Sequence, residues 1–187
     1  MKAYNGFEAK KIATREQLPV GAYVCKILDV KLQEYSWGET IELSFDIAEG
    51  EHKDFYAKDY RANTNEDRKW RGKYRLNVPK DDGTEQDGWT KRSFENAIWA
   101  FEDSNTGFRW AWNESALKGK TIGLLFRNRE WEFNGKTGWS PEAAAVASVS
   151  DVRSGNFKLP KDKPLKTRQT SSTAPVIDLL DDADLPF

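Results

Sequence analysis

The chain has 187 residues, 38% apolar and 32% charged, with an aromatic fraction of 13% that includes eight Trp. That length fits one domain of ordinary size plus extensions. A formal net charge of −1 argues against a simple polyanion binder. No apolar run approaches the roughly 18 residues of a membrane span. The lone Cys25 excludes an intrachain disulfide, and the N-terminus lacks a signal-like apolar stretch, so the sequence reads as cytoplasmic.

Residues 1–18 are polar and weakly patterned and read as an arm. From Val20 the period becomes two. Val20, Ala22, Val24, Leu28, Val30 and Leu32 share one parity, and Tyr23, Cys25 and Ile27 the other. This predicts a long strand, buried on both faces over part of its length. Ser36-Trp37-Gly38-Glu39 is a turn. Ile41, Leu43, Phe45 and Ile47 then alternate with polar residues and predict an antiparallel partner. Residues 52–60 read as a third strand. Residues 61–69 are loop-like, and residues 70–76 read as a further short extended segment. Residues 79–88 are a loop by composition.

The period then changes. Phe94, Ala97, Ile98 and Phe101 predict a helix over residues 90–103, capped by Thr90 or Ser93. From Lys120 the period returns to two, with Ile122, Leu124 and Phe126 on one face of a strand that continues through Trp131. Asn134-Gly135 is a strong hairpin signal, and residues 136–153 form the partner strand. After about Phe157 the composition becomes Pro-, Ser- and Thr-rich and predicts a flexible linker. The resulting organisation is a domain over residues 1–158, a linker over 159–177 and a tip over 178–187.

Three strands, a helix and two strands are the connectivity of the OB-fold, a five-stranded barrel with its helix between strands three and four. Pattern alone leaves another small β-sandwich or α+β domain open. Phe45, Phe55, Phe94, Phe101 and Phe126 are assigned to the core, while Trp99, Trp110 and Trp112 stay open between core and binding.

Catalytic constellations are missing from the sequence. His52 is the only histidine, Cys25 lies in an apolar strand, and no His/Cys cluster has zinc spacing. The chain reads as a non-enzyme with no cofactor and no metal. Its charge distribution is more telling. Residues 53–75 hold eight Lys or Arg against four Asp or Glu. Here Lys53, Lys58, Arg61, Arg68, Lys69, Arg71, Lys73 and Arg75 interleave with Tyr56, Tyr60, Trp70 and Tyr74. Sequence-independent binders of single strands combine cations for phosphates with rings for stacked bases. On a strand over 52–60, Tyr56, Lys58 and Tyr60 would project to one face. Arg127, Arg129 and Trp131 form a second same-parity run. A merely solvated basic face is the competing reading.

The last ten residues carry four Asp and no cation, and end on Leu185-Pro186-Phe187. Asp181-Asp182-Ala183-Asp184-Leu185-Pro186-Phe187 is similar to the acidic tip of the bacterial single-stranded DNA-binding proteins, three acidic residues followed by Ile-Pro-Phe. Ala183 interrupts the acidic run and Leu185 replaces Ile. Together with the linker, this makes the chain resemble the OB-fold single-stranded DNA-binding proteins, in particular those carried by viruses of bacteria. Residues 1–160 resemble them in pattern only. The resemblance implies a protein that coats single-stranded DNA in replication, recombination and repair. It also implies that the tip recruits partner proteins, with Phe187 as anchor and Asp181, Asp182 and Asp184 as steering charges. A strand-annealing or recombination-mediator protein and a β-rich adaptor without DNA binding are the alternatives. Oligomeric state is open.

Overall fold

A computed structural model of the chain describes residues 16–165. The expectations for the arm of residues 1–15, for most of the linker and for the acidic tip lie outside the described residues. The elements are β1 (Ala22–Tyr35), β2 (Gly38–Ile47), α1 (Phe55–Ala62), β3 (Lys73–Asn77), α2 (Glu85–Ser104), a 3-10 turn (Glu114–Leu117), β4 (Thr121–Phe133), β5 (Lys136–Ala147) and α3 (Val149–Ser154).

The five strands form one antiparallel sheet in the order β3-β2-β1-β4-β5. The outer strands β3 and β5 also approach each other, with Cα atoms within 8 Å. With α2 between β3 and β4, this is the OB connectivity that the strand and helix pattern predicts. β1 is central because it is long and shared. Ala22–Lys26 pair with β4 while Cys25–Tyr35 pair with β2. Its ladder with β2 slips between Ile27 and Asp29, leaving Leu28 as a bulge. A bulge of this kind increases local twist and lets one strand serve two neighbours.

The inward parity of each strand fills the barrel. Ile27, Leu43, Phe45, Ile122, Leu124 and Phe126 are fully buried, and α2 closes one end with Phe94, Ala97 and Phe101. Each Ile, Leu or Phe among them contributes about 1.5–3 kcal/mol by leaving water. All five Phe assigned to the core are buried.

Three parts of the sequence reading are corrected. Residues 52–60 are not the third strand. The chain turns into α1 there, and β3 is the short extended segment further on. The cause is not local. Asp46 at the end of β2 accepts hydrogen bonds from the Ile47 and Tyr56 amides through Oδ1, and from the Ala57 amide through Oδ2, each at 2.9 Å. A carboxylate on the first free N–H groups of a helix stabilises that end. Next, α2 starts five residues earlier than Thr90. Thr84 caps it, accepting from the Asp87 amide at 3.2 Å. Lastly, β5 ends at Ala147, and Ser148 caps α3 by accepting from Asp151. Among the described residues, three α-helices stand where the sequence predicted one.

The linker's first residues are also structured. Asp162 accepts from the Asn128 amide, and Lys163 exchanges backbone hydrogen bonds with Asn128 and Glu130. The strap covers the edge that β4 exposes beyond its pairing with β1, where a bare edge would template further pairing. The Leu165 amide donates to Glu130 at 2.9 Å, so the chain leaves the described residues beside the β4–β5 hairpin.

Candidate nucleic-acid interface

The outer face of β1, β2 and β3 carries three polar rungs. The register aligns Gln33 with Thr40 and Asn77, Lys31 with Glu42 and Arg75, and Asp29 with Ser44 and Lys73. Residues that stand opposite in an antiparallel ladder project to the same side, so each trio forms a row across the face. An open groove of about 450 Å³ runs over the last two rows, bounded by Leu28, Lys69 and Trp70.

Among the described residues, two carboxylates line this groove, Asp29, which pairs with Lys118 at 3.0 Å, and Glu42. Glu42 is buried and takes Lys73 Nζ at 2.6 Å on one oxygen and Arg75 Nε and Nη2 at 3.3 Å on the other. The hydrogen bond from Lys73, followed by the neighbouring cations, holds the Glu42 carboxyl below its ordinary range. Lys31 and Lys69 have no carboxylate partner among the described residues. Of the two, Lys31 lies close enough to Asp29 to help hold that carboxyl below its ordinary range.

The basic–aromatic strip predicted over residues 53–75 is split by the fold. Lys69, Trp70, Lys73 and Arg75 reach the groove or its rung. Tyr56 and Tyr74 do not. Tyr56 sits in α1 with 7% exposure, edge-on to Phe45 at 5.4 Å, and burial pushes its phenol well up. Tyr74 pairs with Leu43 on the core parity of β3, and burial pushes its phenol up to about 12. Tyr56 is a core residue and Tyr74 packs against the core, because a helix and an inward register replaced the single outward strand. Lys53, Lys58 and Arg61 ride on or beside α1. Lys58 is tied to the Lys53 carbonyl, and Arg71 pairs with Asp59. Arg68 lies over the Tyr60 ring at 4.7 Å, and Tyr60 leans on Trp70. Trp70 itself is anchored. Its indole N–H donates to the Phe45 and Gly72 carbonyls at 3.0 and 3.1 Å.

The second predicted run is held on one face. Arg127 and Arg129 stand opposite Glu142 and Ser140, and Glu142 accepts from both. Trp131 lies opposite Gly138. A Cβ at Gly138 would stand 2.6 Å from the indole, so glycine there lets the ring lie across the neighbouring strand.

Rings that the sequence reading did not weigh complete the surface. Tyr35 and Trp37, at the β1–β2 turn, stack at 5.0 Å with planes 5° apart and are 41% and 51% exposed. At the other long hairpin, Phe133 and Trp139 join Trp131 as exposed rings. Asn134 and Gly135 both take positive φ in the turn between the strands, as the Asn-Gly signal predicts. A position signal was present: large rings beside a two-residue turn stand too far from the barrel to pack into it. In barrels of this type the face of strands two and three and the loops joining strands one to two and four to five bind oligonucleotides and oligosaccharides.

A scan against protein-family models and a search of curated proteins return no match for this chain.

Proposed function

We propose that this chain is a sequence-independent single-stranded DNA-binding protein. The strand lies along the outer face of β1–β3, and its bases stack on rings at the two hairpins. The observation that carries this reading is the coincidence of cations and rings on one barrel. Lys31, Lys69, Lys73 and Arg75 mark the face, and both flanking hairpins end in exposed aromatics. Contacts go to phosphate and π-face, which every sequence shares.

The tip completes the proposal. Asp181, Asp182 and Asp184 steer, and Leu185, Pro186 and Phe187 insert into an apolar, basic-rimmed site on replication, recombination or repair proteins. The body holds DNA and the tail holds partners.

The decisive experiment is a titration of the intrinsic Trp fluorescence with poly-dT at two salt concentrations. Saturable quenching that weakens steeply with salt supports the proposal. A signal that does not respond to poly-dT leaves an adaptor without DNA binding as the reading.

A further inference from the structure

A second surface lies away from these rungs. The outer side of α2 and the segment after it form an apolar groove of about 470 Å³, lined by Phe94, Ile98, Trp99, Trp110 and Trp112. It shares no residue with the groove over β1–β3. Phe94 and Trp112 stack at 6.0 Å, and Trp110 meets Phe94 edge-on. Trp112 is 75% exposed and Trp99 52%. So much indole surface left in water on one side of a small domain marks an interaction site.

Two further observations point to an occupant. Trp112 takes φ of 57°, a left-handed conformation that is an outlier for a bulky residue. Strain of that kind persists where a ligand clamp needs it. The Trp110 indole N–H is shielded from solvent and has no acceptor among the described residues.

The rim selects the charge. Asp81, Glu95 and Glu102 line the groove with Lys91; Lys91 pairs with Asp81, and Arg109 and the Trp110 amide take Glu102. Glu95 has no cation partner among the described residues. An acidic tip ending in Phe187 is repelled there. The opposite end of the chain matches. Residues 1–15 carry Lys2, Lys10, Lys11 and Arg15 against Glu8 alone, and bring Tyr4, Phe7 and Ile12. Fifteen residues reach about 50 Å when extended. A domain of this size has a radius of gyration of about 15 Å. Reach therefore does not restrict where the segment docks.

We propose that the α2 groove is the docking site of the chain's own N-terminal segment, with Tyr4 and Phe7 against the indoles and a lysine toward Glu95. This is a site for a basic, aromatic peptide. It does not depend on DNA binding.

The test uses the full-length chain. Replacing Tyr4 and Phe7 together by Ser shifts the indole N–H cross-peaks of Trp110 and Trp112 in two-dimensional NMR and leaves those of Trp37 and Trp131 in place. Unchanged Trp110 and Trp112 peaks overturn the proposal. In the Phe7→Cys/Glu95→Cys protein, mild oxidation yields an intramolecular disulfide in most molecules. A Phe7→Cys/Glu85→Cys control stays reduced. Cross-linked dimers instead of a closed monomer, or no cross-link in either protein, overturn the assignment to this chain's own segment.

Discussion

Lys73 donates its ammonium to Glu42 at 2.6 Å across neighbouring strands, and Arg75 takes the other oxygen of the same carboxylate. One buried acid thereby neutralises two of the four cations that mark the proposed binding face. Glu42→Gln frees both. A freed cation that contacts phosphate steepens the dependence of log K on log salt by about 0.7 for a single strand. The variant is expected to bind oligo-dT more tightly at low salt, with a steeper slope, and to melt at a lower temperature. An unchanged slope would remove Lys73 and Arg75 from the DNA path.

The same pair sets an acid limit. Glu42 is held below the ordinary carboxyl value of 4.5. A group with a depressed folded-state pKa contributes stability above its unfolded-state pKa, and that contribution is lost as pH falls through the folded-state value. Acid should therefore weaken the β2–β3 pairing below about pH 4.5. In Glu42→Gln this part of the acid loss is absent, which urea unfolding at pH 7 and pH 4 measures directly.

Stacking predicts a different pattern. Trp37→Ala, and separately Phe133→Ala, should weaken oligo-dT binding by about 1–3 kcal/mol and leave the fold intact, because both rings are exposed. Trp70→Ala should lower affinity and stability together, since its indole N–H serves two carbonyls. Tyr56→Phe should leave affinity unchanged. If Trp37 and Phe133 are silent in fluorescence-anisotropy titrations while Tyr60→Ala is not, the site lies over α1 instead.

These expectations show where the sequence is legible. Alternation at Ile41–Ile47 and Ile122–Phe126, and the helical spacing of Phe94, Ala97 and Phe101, place the barrel and its plug, because burial on one side imposes a period. The Asn134-Gly135 turn is readable because its residues tolerate the required φ. Helix α1 was hidden. Phe55, Tyr56 and Tyr60 fit a strand as well as a short helix, and the group that decides, Asp46, is ten residues from Tyr56. The site was half legible for the same reason. Residue types point to Lys69, Trp70, Lys73 and Arg75 for the candidate groove, but facing is set by the fold: α1 turns Tyr56 inward and the β3 register turns Tyr74 inward. Lys31 joins the groove only because β1 bulges and pairs it with Glu42.

Gly72 precedes β3 for want of space. Its carbonyl accepts from the Phe45 amide at 2.8 Å, and a Cβ there would stand 2.2 Å from the Phe45 oxygen and 2.8 Å from the Tyr56 ring. Backbone cannot move aside as a side-chain tip would. Gly72→Ala should cost about 3 kcal/mol in urea unfolding. It should also disturb the Trp70 anchor beside it. A loss below about 0.5 kcal/mol, the range of neutral surface changes, would mean that the loop relaxes freely.

Deletion of residues 178–187 separates the two ends of the proposal. It removes four Asp and no cation, which moves the formal net charge from −1 to +3. The strap of residues 162–165 ends beside Arg129 and Glu130, at the base of an aromatic hairpin of the proposed DNA path. The tip is an anion on the same chain as the cations that mark the proposed binding face. The truncated chain is expected to bind oligo-dT as well as the full chain or more tightly. The difference should be greatest at low salt and vanish near 1 M, where the screening length falls to about 3 Å. Binding lost on truncation at all salt concentrations would place the tip inside the DNA site and would end its assignment as a separate handle for partner proteins.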